Sequence, residues 1–210
     1  NYRYHADEQD PFLVYSADFD NNGSVDIVLG YDSPEHSYPI RGRQCSSQQS
    51  QFVLDKFPDY ESFANATMAD IYGQQALDNS YKKEVTSFKS TVWIQGNKHT
   101  FKPLALPNEA QVSSINTILV MDVNGDEMED LIISGNLHSS EEESPRNDAS
   151  IGLVLIGRGD GTFEPMPPTK SGFSAFKDVK DMALVPASEC TLVVTVSNSD
   201  ALEAHRLCIE

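Results

Sequence analysis

Two short stretches carry the residue types best suited to chemistry. The first reads Asp18-Phe19-Asp20-Asn21-Asn22-Gly23-Ser24-Val25-Asp26, the second Asp122-Val123-Asn124-Gly125-Asp126-Glu127-Met128-Glu129-Asp130. Numbered along each loop, side-chain oxygens fall at positions one, three, five and nine: Asp18, Asp20, Asn22 and Asp26, then Asp122, Asn124, Asp126 and Asp130. The seventh position, Ser24 or Met128, offers its backbone carbonyl. Calcium takes about six to eight hard oxygen ligands at ~2.3–2.6 Å in a flexible shell, and a tight loop with alternate residues turned inward supplies them. Magnesium fits less well because it demands a strict octahedron and keeps its waters. Transition metals want nitrogen or sulfur, and neither loop offers any. The loops are not EF-hands, since Leu29 and Ile133 stand where the bidentate Glu belongs, and each runs into a strand. Gly23 at position six permits a left-handed turn. Glu127 holds that place in the second loop, with Gly125 two residues earlier, so strain and a weaker second site are expected there. Asp, Asn and Gly also build ordinary solvated turns. The recurrence of one spacing in two places argues for metal over that blander reading.

Other chemistry finds less support. His5, His36, His99, His138 and His205 are scattered, with no HExxH or HxH pair. Cys45, Cys190 and Cys208 form no CxxC, and read as small buried residues. Cys190 and Cys208 are close enough in sequence to sit on neighbouring strands, where an oxidising compartment would permit a bridge. No nucleophile elbow or phosphate loop is present. The competing function is a carbohydrate-active or metal-assisted hydrolase, for which paired carboxylates would be needed. The acid that stands apart from the loops, Asp148, has Arg146 beside it and reads as half of an ion pair. No catalytic residue is assigned.

Charge narrows the partners. With 32 Asp and Glu against 15 Lys and Arg, the formal net charge is −17. Such a surface repels nucleic-acid backbones and anionic lipid. No run approaches the ~18 apolar residues of a membrane span. No secretory leader opens the chain, and a start at Asn1 rather than Met suggests a processed or excised piece.

The elements that must hold the loops follow from their surroundings. Ala17 to Gly30 aligns without gaps to Met121 to Ser134, within the stretch that ends at Gly135, each an apolar approach, an acidic loop and a β-branched strand. Each is followed, after an insertion, by a strand, a Gly/Asn/Asp turn and a returning strand with an aromatic: Thr91 to Phe101 and Gly152 to Phe163. The unit is therefore four antiparallel strands, the size of a propeller blade. Val179–Val185, Thr191–Val196 and Leu202–Cys208 read as a third, incomplete unit without an acidic loop. The expected fold class is all-β, as a single propeller-like domain or fragment over 1–210. Blade one would take 11–30 and 85–106 around a helical insertion at 31–84, blade two 115–166, and a partial blade three 178–209. In the insertion, Phe52, Val53 and Phe57 have helical spacing ended by Pro58. Asp59 reads as an N-cap, Thr67 with Asp70 as a capping box and Gly73 as a stop, giving two or three short helices. The segment at 137–148, with Glu141-Glu142-Glu143, reads as a solvated loop.

These residues resemble the FG-GAP/VCBS repeat family of calcium-loop β-propellers, and within it a branch of bacterial surface or secreted proteins carrying ASPIC/UnbV segments, similar to cartilage acidic protein. The likeness runs through Ala17–Gly30, Tyr38–Arg43, Phe57–Ala64, Leu106–Gln111, Ile118–Asn136, Arg146–Ser150 and Gly157–Phe163. It implies propeller blades, two structural calcium ions and no catalytic residues. It also implies an extracellular, cell-surface or periplasmic setting and a role as a binding or adhesion module for a protein or glycan. With two full blades and one partial, the chain would be part of a longer protein or close with partner chains. Arg158-Gly159-Asp160, a tripeptide that integrins recognise, reads instead as the hairpin turn of its repeat. Trp93, Phe101 and Phe163 read as packing between blades, and Tyr31, Tyr38 and Tyr60 beside the insertion as the better ligand face.

Overall fold

The computed structural model describes residues 4–33, 35–140, 145–187 and 191–207. Cys190, Cys208 and the Glu141–Glu143 run lie outside them. The chain is mostly antiparallel β with a few short helices, divided into two compact units at residues 88 and 89.

The first unit is built on a four-stranded sheet. Its strands are β1 (Phe12–Ala17), β2 (Asp26–Asp32), β3 (Ser37–Pro39) and, after the helices, β4 (Tyr81–Val85), in the spatial order β3-β2-β1-β4. Leu13, Tyr15 and Val28 point to one face and meet Met68 and Leu77. That period-two alternation is what a half-buried sheet demands. Between β3 and β4 lie α1 (Arg43–Gln49), α2 (Phe52–Lys56), α3 (Tyr60–Ala64), α4 (Met68–Tyr72) and α5 (Gln74–Asn79). Val53, Phe57, Phe63, Ala66 and Ile71 form their own small core. The caps follow the chemistry of the sequence. The Asp59 side chain accepts from the Ser62 N–H, Thr67 and Asp70 satisfy each other's backbone donors, and Gly73 ends α4 at φ 85°. Both α1 and α5 add to the expected helices. Arg43–Gln49 shows no apolar stripe, and its buried positions are the serines Ser46 and Ser47, so periodicity gives no signal there.

The expectation that the hairpin at 91–105 completes the first sheet is corrected. That place is taken by β4, which pairs with β1 from Phe12↔Val85 to Ser16↔Tyr81. The strands β5 (Thr91–Gln95) and β6 (Phe101–Ala105) pair only with each other. Tyr81–Val85 is a polar, mostly exposed edge strand with two lysines and a glutamate, the composition that discourages further pairing.

In the second unit β7 (Ile115–Met121), β8 (Asp130–Gly135), β9 (Leu153–Gly157) and β10 (Phe163–Met166) form a sequential antiparallel sheet. Its middle strands are apolar on both faces because both are covered. Ile132, Val154 and Ile156 join Phe173, Val179, Met182 and Val193 on one side, while Ile133 and Leu155 join Leu106 and Ala110 on the other. A three-stranded sheet follows, of β11 (Val179–Pro186), β12 (Thr191–Ser197) and β13 (Glu203–Leu207). Asn116, at a bulge in β7, donates its side-chain amide to the carbonyls of Asn136 and Val179 and ties the two sheets together. Among the described residues no helix is long and apolar enough to cross a membrane.

Of the aromatics, Phe163 packs against the Leu155 cluster, while Trp93 (62% exposed) and Phe101 (58%) face solvent rather than a neighbouring sheet. Tyr31 and Tyr38 pair across β2 and β3 with ring centres 5.9 Å apart, and Tyr60 is exposed beneath the Arg43 guanidinium.

Candidate metal centre

The two acidic loops occupy the same structural place. The first closes on the pair Ala17↔Asp26 between β1 and β2, the second on Met121↔Asp130 between β7 and β8. Strand pairing at both ends fixes the span, so the chain between must fold back within it. Local hydrogen bonds to the loop carboxylates do that, and they repeat position by position. In the first loop the Asp18 carboxylate accepts the N–H of Asn22 at 3.0 Å and of Gly23 at 2.9 Å. In the second, Asp122 accepts those of Asp126 at 3.2 Å and Glu127 at 2.8 Å. At position nine, Asp26 accepts the N–H of Phe19 at 3.0 Å and Asp130 that of Val123 at 2.8 Å. Position five repeats as well: Asn22 takes the Ser24 N–H and Asp126 the Met128 N–H. Backbone amides thus hold each first and last carboxylate in place.

The backbone repeats too, with the glycine exchanged. Position four is left-handed in both loops (Asn21 φ 58°, Gly125 φ 78°), and so is position six (Gly23 φ 87°, Glu127 φ 65°). Asn tolerates that region, whereas Glu does so at a cost of about 1 kcal/mol. A Cβ at position six meets nothing in the first loop, so the cost is one of backbone and not of space. We therefore expect Glu127→Gly to stabilise the second unit by up to about 1 kcal/mol, part of the gain being offset by the greater freedom of glycine in the unfolded chain. Chemical denaturation of the two proteins measures it; a destabilised variant would mean that Glu127 is held by something other than this turn.

The loops differ in how far the acids converge. In the first, ligand oxygens of Asp18, Asp20 and Asp26 all lie within 4.8 Å of one another. Ligands on opposite sides of a calcium ion at ~2.4 Å are separated by about that much. Among the described residues no other trio of Asp, Glu, His or Cys meets this spacing, so Asp122, Asp126 and Asp130 are less closely gathered. Asn22 and Asn124 bring an amide oxygen to each loop, but each also donates its amide nitrogen to a neighbouring loop carboxylate, Asp20 or Asp126. The Ser24 and Met128 positions lie on the exposed part of their loops. The donor set of the first loop, three carboxylates with an amide and a carbonyl, is all hard oxygen and fits calcium.

Asp122 shows the electrostatics of such a loop. The Glu127 N–H is the strongest influence, and with the Gly125 and Asp126 N–H groups it holds this carboxyl below the usual carboxylate range, against the opposing effect of burial. The folded loop favours the ionised form. Its contribution to stability is therefore present at neutral pH and lost as pH falls through that lowered value. We expect the Asp122 carboxyl to titrate more acidic than the same residue in a loop peptide, read by NMR chemical shift.

Two features escaped the sequence. Asp130 is 0% exposed, and its second oxygen accepts the Gly157 N–H at 2.7 Å, tying the loop to β9. A side chain at Gly157 would collide with the Glu129 carbonyl, which is why glycine stands there. Asn136, one residue past β8, is also 0% exposed. Its amide nitrogen lies within hydrogen-bonding distance of the carbonyls of Ser150, Phe176 and Lys177, and its oxygen accepts the Ser150 N–H. Nothing in the local sequence distinguishes it from a loop residue.

The other candidates read plainly. Arg158 pairs with Glu164, and the Asp160 carboxylate accepts from Thr162, so the Arg-Gly-Asp turn is engaged in its own hairpin. Arg146 and Asp148 form an exposed ion pair at 3.4 Å. Comparison with known protein families, with curated proteins and with solved structures finds no match to this chain.

Proposed function

We propose that this protein is a calcium-binding interaction module of the extracellular or cell-surface kind, in which calcium is structural and the sheets act as propeller-type blades. The observation that carries the reading is the repeated loop: two connections far apart in the chain share one hydrogen-bond pattern, one pair of left-handed positions and one spacing of oxygen donors. Ordinary acidic turns have no reason to share all three. In the first loop Asp18, Asp20, Asn22 and Asp26, with the Ser24 carbonyl, would hold the ion. In the second Asp122, Asn124, Asp126 and Asp130, with the Met128 carbonyl, would do so more weakly. Two ions would reduce the net charge from −17 to about −13, relieving repulsion that the loops otherwise carry. Weak extracellular calcium modules have Kd values of about 0.1–1 mM, which suits a site with few preorganised carboxylates. The antiparallel sheets of four, four and three strands support the blade reading, with the separate β5–β6 hairpin falling between the first two in sequence. The exposed Trp93 and Phe101 supply apolar area to a protein or glycan partner.

Thermal unfolding of EDTA-stripped protein, with millimolar calcium and with magnesium as control, tests the proposal. With a Kd of about 0.1 mM, about 10 mM free calcium is the hundredfold excess at which linkage gives about 2.7 kcal/mol. For a chain of this size that is a rise of roughly 5–10 °C. Titration calorimetry should count two ions, with Asp18→Ala removing the tighter and Asp122→Ala the weaker. An unchanged melting temperature and no binding heat would overturn the calcium reading.

A further inference from the structure

The second unit contains a cleft that the calcium loops do not use. Val112, Ile151, Leu153, Pro165, Met166 and Pro168 are among its walls, and its volume is about 400 Å³. That is within the range of small-molecule sites, which are mostly apolar with a few convergent polar groups. Three of its lining residues are prolines, so part of the wall is rigid before anything binds. At one side it shares Glu109, Val112, Ser150 and Leu153 with a second, much smaller cavity. This inner cavity, of about 10 Å³, has room for one water-sized group. Ser113, Ser114 and Ser134 line it, and the hydroxyls of all three are buried without a hydrogen-bond partner among the described residues. Ser134 is 1% exposed and Ser113 9%.

Buried hydroxyls without partners are costly and call for an occupant. The charge of the site says which kind. Glu109, a solvent-exposed residue, is the charged one that lines both cavities. An ammonium head is the size of a water molecule and brings three donors and a positive charge, which hydroxyl oxygens and a carboxylate accept. An anion would meet Glu109 and an acidic molecule. We propose that the cleft binds a small primary amine, its ammonium group in the serine-lined cavity, its charge offset by Glu109 on the shared lining, and its apolar body in the outer cleft. This reading does not rest on calcium binding.

Three molecules of one shape separate the alternatives: phenethylamine, 2-phenylethanol and phenylacetate, titrated into the full chain in buffer with and without calcium and followed by two-dimensional amide NMR. Phenethylamine should shift the amides of Ile151, Gly152, Leu153 and Met166 and bind about tenfold or more tightly than either analogue. Glu109→Gln should remove most of that preference, and Ser134→Ala should weaken the amine several-fold. Because Ser134 is buried, its variant counts only if its spectrum elsewhere is that of the parent. Glu109 sits on a surface turn, so its variant supplies the test if Ser134→Ala is perturbed. Equal affinity for the three molecules, shifts mapped to another region, or no binding by the amine at 10-fold molar excess and upward to millimolar concentration would overturn the proposal.

Discussion

Asp130→Ala is expected to lose about 3–5 kcal/mol of stability in the second unit, with or without calcium. The carboxylate is fully buried and is the acceptor for two backbone donors, the Val123 N–H at 2.8 Å and the Gly157 N–H at 2.7 Å. Alanine leaves both N–H groups inside without partners, at about 1–3 kcal/mol each. The equivalent residue of the first loop, Asp26, accepts one such bond, from Phe19. Asp26→Ala should therefore cost roughly half as much in metal-free protein. If the proposed calcium binds, this order should reverse, because Asp26 belongs to the trio already gathered at ligand spacing. Adding calcium should widen the gap between wild type and Asp26→Ala far more than the gap for Asp130→Ala. Denaturant curves in EDTA and in calcium, followed by circular dichroism, give all four numbers. A loss below about 1 kcal/mol for Asp130→Ala would show that the Gly157 and Val123 amides find other partners.

The second large effect is at Asn136. Its side chain serves the carbonyls of Ser150, Phe176 and Lys177 and the Ser150 N–H, all within the second unit. Asn136→Ala should cost about 3–5 kcal/mol by leaving these groups unpaired in a site with no solvent. The backbone there sits at φ 106°, a region that favours glycine. Asn136→Gly should thus be the milder change by about 1 kcal/mol, although it loses the same hydrogen bonds. Asn136→Asp should be the worst of the three at neutral pH, since it exchanges a donor for a buried charge facing carbonyl oxygens. The ranking Gly, Ala, Asp by urea midpoint is the check. A Gly variant less stable than Ala would remove backbone strain from the account.

What could be read from the sequence was whatever depends on residue type at fixed spacing. The acidic loops qualify, because a turn closed by carboxylates needs them at set positions. The runs Leu131–Ile133 and Leu153–Ile156 qualify as well, since strands covered on both faces show continuous apolar character. Pairing partners did not. Tyr81–Val85 and Thr91–Gln95 are both five-residue strands, and which of them joins β1 is decided by contacts distant in sequence. The apolar content of the second favoured it, while the edge of the first sheet is better served by the charged one. Convergence within a loop was also hidden. The spacing of the oxygen-bearing residues is the same in both, yet among the described residues a trio of carboxylates gathers in the first alone, where position three is Asp20 and not, as in the second, Asn124. Asn136 and the serine-lined cavity were invisible for a different reason, in that both are assembled from residues whose individual signals are those of ordinary loops.

The loop geometry also bears on how the molecule ages. Each loop holds an Asn-Gly step, Asn22-Gly23 and Asn124-Gly125, the dipeptide in which the glycine nitrogen most readily attacks the asparagine amide and expels ammonia. In the folded chain both glycine N–H groups are donated to a carboxylate, Gly23 to Asp18 and Gly125 to Asp122. A nitrogen whose N–H is held by a carboxylate is harder to deprotonate, and the attack needs it deprotonated. Folding therefore protects the two asparagines that the calcium reading uses as ligands, and a sample unfolded by denaturant at neutral pH should accumulate the more acidic, isoaspartyl-containing forms faster than a native one. The shelf life of this protein would then follow the integrity of two nine-residue loops.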